Sequence, residues 1–280
     1  MKIKTLVENN SKNENLKSEH GLSLYIETEN HKILFDTGQS DLFIRNAETL
    51  NIDLTKVDIV VISHGHYDHL GGLIYFLELN KTAKVYLKKE IFDFQYFSIR
   101  KELKKHIGYS PDLLEYKNRF VLLESELHML DNMFFITKFD NNYQLPKGNR
   151  ILFKEKDTNL IQDDFKHELI FVINSLNELY VFCGCAHNGI LNTISTVKRL
   201  LSQESINMVI GGFHLIEQNE FVETESEQEI KAIGEELKRI VPNTIFYTGH
   251  CTGNESFKIM SKILEHNLQK LTTGLGIETA

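Results

Sequence analysis

The segment His64-Gly65-His66-Tyr67-Asp68-His69 constrains this chain more than any other feature. It follows the apolar run Val57-Asp58-Ile59-Val60-Val61-Ile62-Ser63, in which β-branched residues dominate and a polar cluster ends the run. That pattern predicts a buried β-strand, so the histidines fall in a loop at a strand end, where a rigid scaffold can present ligands. His64 and His66 are two apart, and a still-extended backbone points both to one side. If the chain turns at Asp68 and His69, those two face a second metal beside the first. Only 12 of 280 residues are histidine, so a polar loop with chance histidines is a poor account of this density. Imidazole nitrogen with carboxylate oxygen suits zinc, with iron and manganese next.

H-x-H-x-D-H after a strand resembles the metallo-β-lactamase superfamily. Gly21-Leu22-Ser23-Leu24-Tyr25-Ile26 and Lys32-Ile33-Leu34-Phe35-Asp36-Thr37-Gly38 look like that family's early hairpin and its strand-end Asp-x-Gly. Phe182-Cys183-Gly184-Cys185-Ala186-His187 and Phe246-Tyr247-Thr248-Gly249-His250 each end an apolar run with a glycine and a ligand type, as later ligands of the family do. With Gly211-Gly212-Phe213-His214-Leu215 and Gly249-His250-Cys251-Thr252-Gly253, the set resembles one subgroup. Its archaeal members are described as 7,8-dihydropterin-6-methyl-4-(β-D-ribofuranosyl)aminobenzene-5'-phosphate synthases, and many bacterial relatives simply as metal-dependent hydrolases.

The resemblance implies an α/β fold, an αββα sandwich spanning residues 1–280 with an insertion at about 90–165 that shapes the substrate pocket. It implies two divalent ions, zinc first and manganese or iron next, with metal ligands His64, His66, Asp68, His69, Cys185, His187 and His250. Cys185 stands where many members carry a bridging Asp. It is either a thiolate ligand or a buried neutral thiol beside His187. His214 is a candidate ligand, acid/base group or substrate contact, with a structural histidine as the plain alternative. Asp68 and His214 are the catalytic candidates. Asp36 is expected to brace the ligand loop through hydrogen bonds. His20, His31, His106, His128 and His266 have no companion ligands and read as surface or structural. His167 with Asp163, Asp164 and Glu168 is an acidic cluster that either sits near the pocket or, as the plainer reading, forms an exposed approach to a hairpin.

Two adjacent ions lower the pKa of water from 15.7 toward about 7 and supply a nucleophile without a reactive side chain. The expected function is a metal-dependent hydrolase of a small ester, lactone or phosphoester. The alternatives are a dihydropterin-type transferase, a di-iron redox protein and an inactive small-molecule binder. Di-iron relatives usually carry Glu in place of His66 and a flavin domain, and neither is present. A net charge of −8 argues against a nucleic-acid partner. The charged Met1–Asn10 segment is no signal peptide, and no run approaches the roughly 20 apolar residues of a membrane span. Three cysteines, Cys183, Cys185 and Cys251, all beside ligand positions, suit a reduced, cytoplasmic setting. Oligomeric state stays open.

The expected elements are strands at Lys84–Leu87, Phe120–Leu123 and Met133–Thr137, and a hairpin of Leu169–Ile173 with Leu179–Phe182. Helices are expected from Leu70, over Asn192–Leu201, around Ile230–Ile240, and finally with Phe257, Met260, Leu264, Leu268 and Leu271 on one face. Phe92, Phe94, Tyr96 and Phe97 either line a pocket or pack as core.

Overall fold

A computed structural model of the chain describes residues 1–202, 204–217 and 222–279. Two seven-stranded sheets carry the architecture. In the first, the strands run in the order Gly276–Glu278, Lys2–Val7, Ser23–Glu27, Lys32–Phe35, Ile59–Val61, Lys84–Lys88, Phe120–Leu123. Pairings up to Lys32–Phe35 are antiparallel and those beyond it parallel. The second sheet repeats the scheme: Leu268–Lys270, Ile245–Thr248, Ser205–Ile210 and Glu178–Phe182 run parallel, then Ile170–Ser175, Met133–Ile136 and Leu127–Leu130 antiparallel.

Alternation along the strands builds the layers. Ile33, Phe35, Ile59 and Val61 meet Phe171, Ile173, Phe182 and Ile210 in a shared core between the sheets. The intervening Leu34 and Val60 face helices Leu42–Thr49 and Leu73–Leu79. On the other side, Val172, Val181 and Val209 face helices Ile190–Leu200, Glu227–Ile240 and Asn254–Leu264. Burial on both faces is why these strands read as continuous apolar runs. The result is the expected αββα sandwich.

The hairpin turn is tighter than its polar composition suggests. Leu176 and Asn177 both have positive φ, 54° and 64°, as a two-residue turn between twisted strands requires. The last helix stops earlier than the apolar spacing predicts. Glu265 takes φ 52° and ends it, Leu268–Lys270 becomes a strand, and Leu271 enters the inter-sheet core.

The stretch expected as an insertion divides. Strands Phe120–Leu123, Leu127–Leu130 and Met133–Ile136 belong to the sandwich. Gln95–Arg100, Leu103–His106, Leu152–Lys156 and Asn159–Gln162 form a separate four-stranded sheet. Its small core is Tyr96, Ile107, Leu152 and Phe165, so among the four aromatics weighed above only Tyr96 is deeply buried. That sheet stands over one end of the sandwich.

Candidate metal centre

The candidate ligands sit on loops that leave carboxyl ends of strands. Asp36 follows Lys32–Phe35, His64 to His69 follow Ile59–Val61, and Cys185 and His187 follow Glu178–Phe182. His214 follows Ser205–Ile210, and His250 with Cys251 follows Ile245–Thr248. Carboxyl ends of parallel strands are where open α/β sheets form their sites. Gly184 lets the two halves touch: a Cβ there would lie 2.2 Å from Ser63 Oγ and 2.8 Å from His64 Nδ1.

His64, His66 and His187 form a near-equilateral triangle, with ring centroids 4.7, 4.9 and 4.8 Å apart. All three Nε2 atoms are buried and have no hydrogen-bond partner. The opposite nitrogens explain which tautomer is present in two of the rings. Asn149 donates Nδ2–H to the His187 carbonyl at 2.8 Å, which leaves its Oδ1 to accept from His187 Nδ1 at 3.0 Å. Ser63 Oγ donates to Asp36 Oδ2 at 2.7 Å and so accepts from His64 Nδ1 at 2.9 Å. In both rings the lone pair is left on Nε2. Burial, then neighbouring imidazoles, hold His64 and His187 well below the ordinary histidine range, so both are neutral. Unpartnered buried nitrogens are costly, and a borderline-soft cation suits three of them.

A second group adjoins the first. His69 Nε2 lies 3.0 Å from His250 Nε2 and 3.2 Å from Cys185 Sγ. Asp36 accepts from His69 Nδ1 at 2.7 Å, and Asn9 Oδ1 from His250 Nδ1 at 2.9 Å. Cys185 is within ligand spacing of both groups, His64 with His187 on one side and His69 with His250 on the other. Asp68 Oδ2 stands 3.4 Å from His250 Nε2, 4.0 Å from His69 Nε2 and 3.1 Å from His20 Nε2. Burial raises the Asp68 carboxyl, yet hydrogen bonds from His20 and His250 outweigh it and hold the group well below the usual carboxylate range. Burial opposes charge on His250, but the Cys251 sulfur and Asp68 pull it well above the histidine norm.

His214 packs its ring 4.1 Å from that of His187, and neither of its nitrogens has a partner. It also lies within ligand spacing of Cys185 and Cys251. Its φ of 49° turns the chain sharply.

Several placements differ from the sequence reading. Asp163, His167 and Glu168 are buried, not exposed. His167 Nδ1 accepts from the Gly65 amide at 3.0 Å and its Nε2 donates to Asp163 at 2.9 Å. Glu168 accepts from the amides of His187 and Asn188 at 2.8 and 2.9 Å. The small sheet covers this charged stretch, which is why an acidic loop ends up inside. His20 is no bystander, since it pairs with Asp68 at the rim. Cys251, Asn9 and Asn149 also join the site; only the dipeptide His250-Cys251 hinted at any of them. His31 instead bridges Asp58 and Asp131 on the surface.

A cleft of about 660 Å³ opens above the donors. Its lining includes His66, Asp68, Cys185, His187, His214 and Cys251 together with the cations Arg100, Lys105 and Lys270. A cavity of about 350 Å³ beside helix Glu227–Ile240 reaches none of these donors. Among the described residues no helix is long and apolar enough to cross a membrane.

Sandwich, strand-end loops and histidine groups together define a protein of the metal-site αββα class. The chain belongs to the metallo-β-lactamase superfamily, whose family model matches residues 18–167. It is similar over 271 residues, at 27% identity, to the 7,8-dihydropterin-6-methyl-4-(β-D-ribofuranosyl)-aminobenzene-5'-phosphate synthase of Methanocaldococcus jannaschii, covering 92% of this chain and 89% of that one. An uncharacterised protein of the same organism is 30% identical over 220 residues, 76% of this chain and 79% of its own length. A crystal structure described as a metal-dependent hydrolase of the β-lactamase superfamily superposes with a TM-score of 0.84 at 30% identity, covering 100% of this chain and 99% of that one.

Proposed function

We propose that this chain is a metal-dependent hydrolase of a small ester, lactone or phosphoester-type substrate. The observation that carries the reading is the triangle of the His64, His66 and His187 rings, with centroids 4.7–4.9 Å apart, whose buried Nε2 atoms have no hydrogen-bond partner. These three would hold one divalent ion, and Asp68, His69, Cys185 and His250 a second. Zinc fits this nitrogen and sulfur donor set first, with manganese or iron next. When bound, such ions supply Lewis acidity and a lowered pKa for water.

The chain's own residues do the rest. Asp68, ionised at neutral pH, accepts the proton released by the nucleophile. His20, 3.1 Å away and half exposed, offers that proton a path to solvent. His214, with both nitrogens free, donates to the leaving group. Arg100, Lys105 and Lys270 favour an anionic substrate such as a phosphoester. The cleft suits a small molecule, and the charge of −8 disfavours nucleic acid. A cytoplasmic location belongs to the same reading, supported by three free thiols.

One observation favours a second reading. The similarity to the dihydropterin-linked synthase extends over 92% of the chain, so a transferase joining a pterin to an aryl acceptor, with pyrophosphate leaving, is the alternative. The test is a panel of aryl ester, lactone and phosphodiester probes, with a pterin pyrophosphate tried with and without an aryl ribotide. Hydrolysis lost in His66→Ala supports the first reading. Turnover that needs the acceptor selects the second, and binding without any turnover contradicts both.

A further inference from the structure

The two groups of donors are not alike. Around His69 and His250 the side chains close a ring of four atoms. His69 Nε2 to His250 Nε2 is 3.0 Å, His250 Nε2 to Cys251 Sγ 3.2 Å, Cys251 Sγ to Cys185 Sγ 3.0 Å, and Cys185 Sγ to His69 Nε2 3.2 Å. The composition is two imidazoles and two thiols. All three cysteines of the chain are free of disulfides. Asp68 stands at the edge of this ring, 3.4 Å from His250 Nε2 and 4.0 Å from His69 Nε2, and is hydrogen-bonded by His20.

Tetrahedral zinc with bonds of about 2.3 Å to sulfur and about 2.0 Å to nitrogen needs donor separations of about 3.3–3.8 Å. The nitrogen–nitrogen and nitrogen–sulfur sides fall about 0.3 Å short and the sulfur–sulfur side about 0.8 Å, a gap that outward rotations of the side chains close. Backbone geometry holds Cys251 in place: its φ of 55° turns the chain directly after His250. The turn is fixed by Thr252, whose amide donates to the Gly249 carbonyl at 2.9 Å and whose Oγ1 meets Thr248 Oγ1 at 2.7 Å.

The geometry points to Cys251 as a further metal ligand, which adds a second thiol to the His69–His250 position beside the three-histidine group. Three histidines leave one place free, which is the character of catalytic zinc sites. On this assignment the ion held by His64, His66 and His187 faces the substrate. The sulfur-rich position selects a soft ion and holds the two sheets' loops together.

This inference rests on the reading that the chain binds metal, and its test separates the two. The reduced, metal-stripped full chain is titrated with cobalt(II), reading bound ions by elemental analysis and sulfur-to-cobalt charge-transfer absorption in the near ultraviolet. The wild type is expected to bind two ions with strong charge transfer. Cys251→Ser should lose about half of that absorption and bind one of its ions at least tenfold more weakly. His66→Ala should lose an ion while keeping most of the charge transfer. X-ray absorption on the wild-type zinc protein, which needs no variant to fold, should count two sulfurs at one ion. Two ions with unchanged charge transfer in Cys251→Ser, or a single sulfur by X-ray absorption, overturns the inference alone. A wild-type chain that binds no cobalt overturns it together with the hydrolase reading.

Discussion

Asp36 Oδ2 lies 2.7 Å from His69 Nδ1, and the same oxygen accepts from Ser63 Oγ at 2.7 Å. One buried carboxylate therefore sets two imidazoles at once. It orients His69 directly and His64 through Ser63, leaving a lone pair on each Nε2. Asp36→Asn keeps the shape and tolerates the φ of 57°. Its amide, however, presents N–H where an acceptor is needed, reversing both tautomers. Affinity for both ions should fall about 10–100-fold by titration against a chelator. Wild-type affinity in this variant contradicts the account.

His167 and Asp163 hold the H-x-H loop from the opposite side. Burial opposes the Asp163 charge, yet His167 and His66 keep the carboxyl well below its ordinary range. In Asp163→Asn the amide faces His167 Nε2–H, and the compensating tautomer turns an N–H against the Gly65 amide. Urea unfolding of the metal-free protein should show a loss of about 1–3 kcal/mol. A loss below about 0.5 kcal/mol would mean the dyad is incidental.

Stability without metal should depend on pH in one direction. His64 and His187 are neutral in the fold because burial depresses them. The unfolded chain takes up those protons as pH falls below the ordinary value of about 6.5. Stability is therefore intact above that pH and declines below it, by up to about 1.4 kcal/mol per unit for each residue. His250 is shifted upward, so it is protonated in both states below about 6.5 and adds no slope there. Urea midpoints between pH 7 and 5 check this, and a flat profile contradicts it.

Substitution of His214 tests the proposed division between chemistry and metal holding. His214→Ala should lower turnover by about 10²-fold or more with metal content unchanged. Loss of an ion in this variant would make His214 a ligand instead.

What the sequence discloses follows from how contiguous the information is. H-x-H-x-D-H is legible because its donors share one loop, and the sandwich strands because burial on both faces makes unbroken apolar runs. The Cys2His2 ring is assembled by tertiary contact: Cys185 and Cys251 are 66 residues apart, and nothing local pairs them. Asn149 reaches His187 from a turn 38 residues away. The small sheet is obscured because strand Leu103–His106 is exposed throughout, with no alternation to read. The charged stretch around His167 reads as surface because its cover is that same sheet.

The most direct test of the central claim is elemental analysis of untagged protein purified without chelators, alongside His66→Ala. The account predicts about two divalent ions per chain in the wild type and about one in the variant. Metal well below one ion per chain, the same in both proteins, would contradict it.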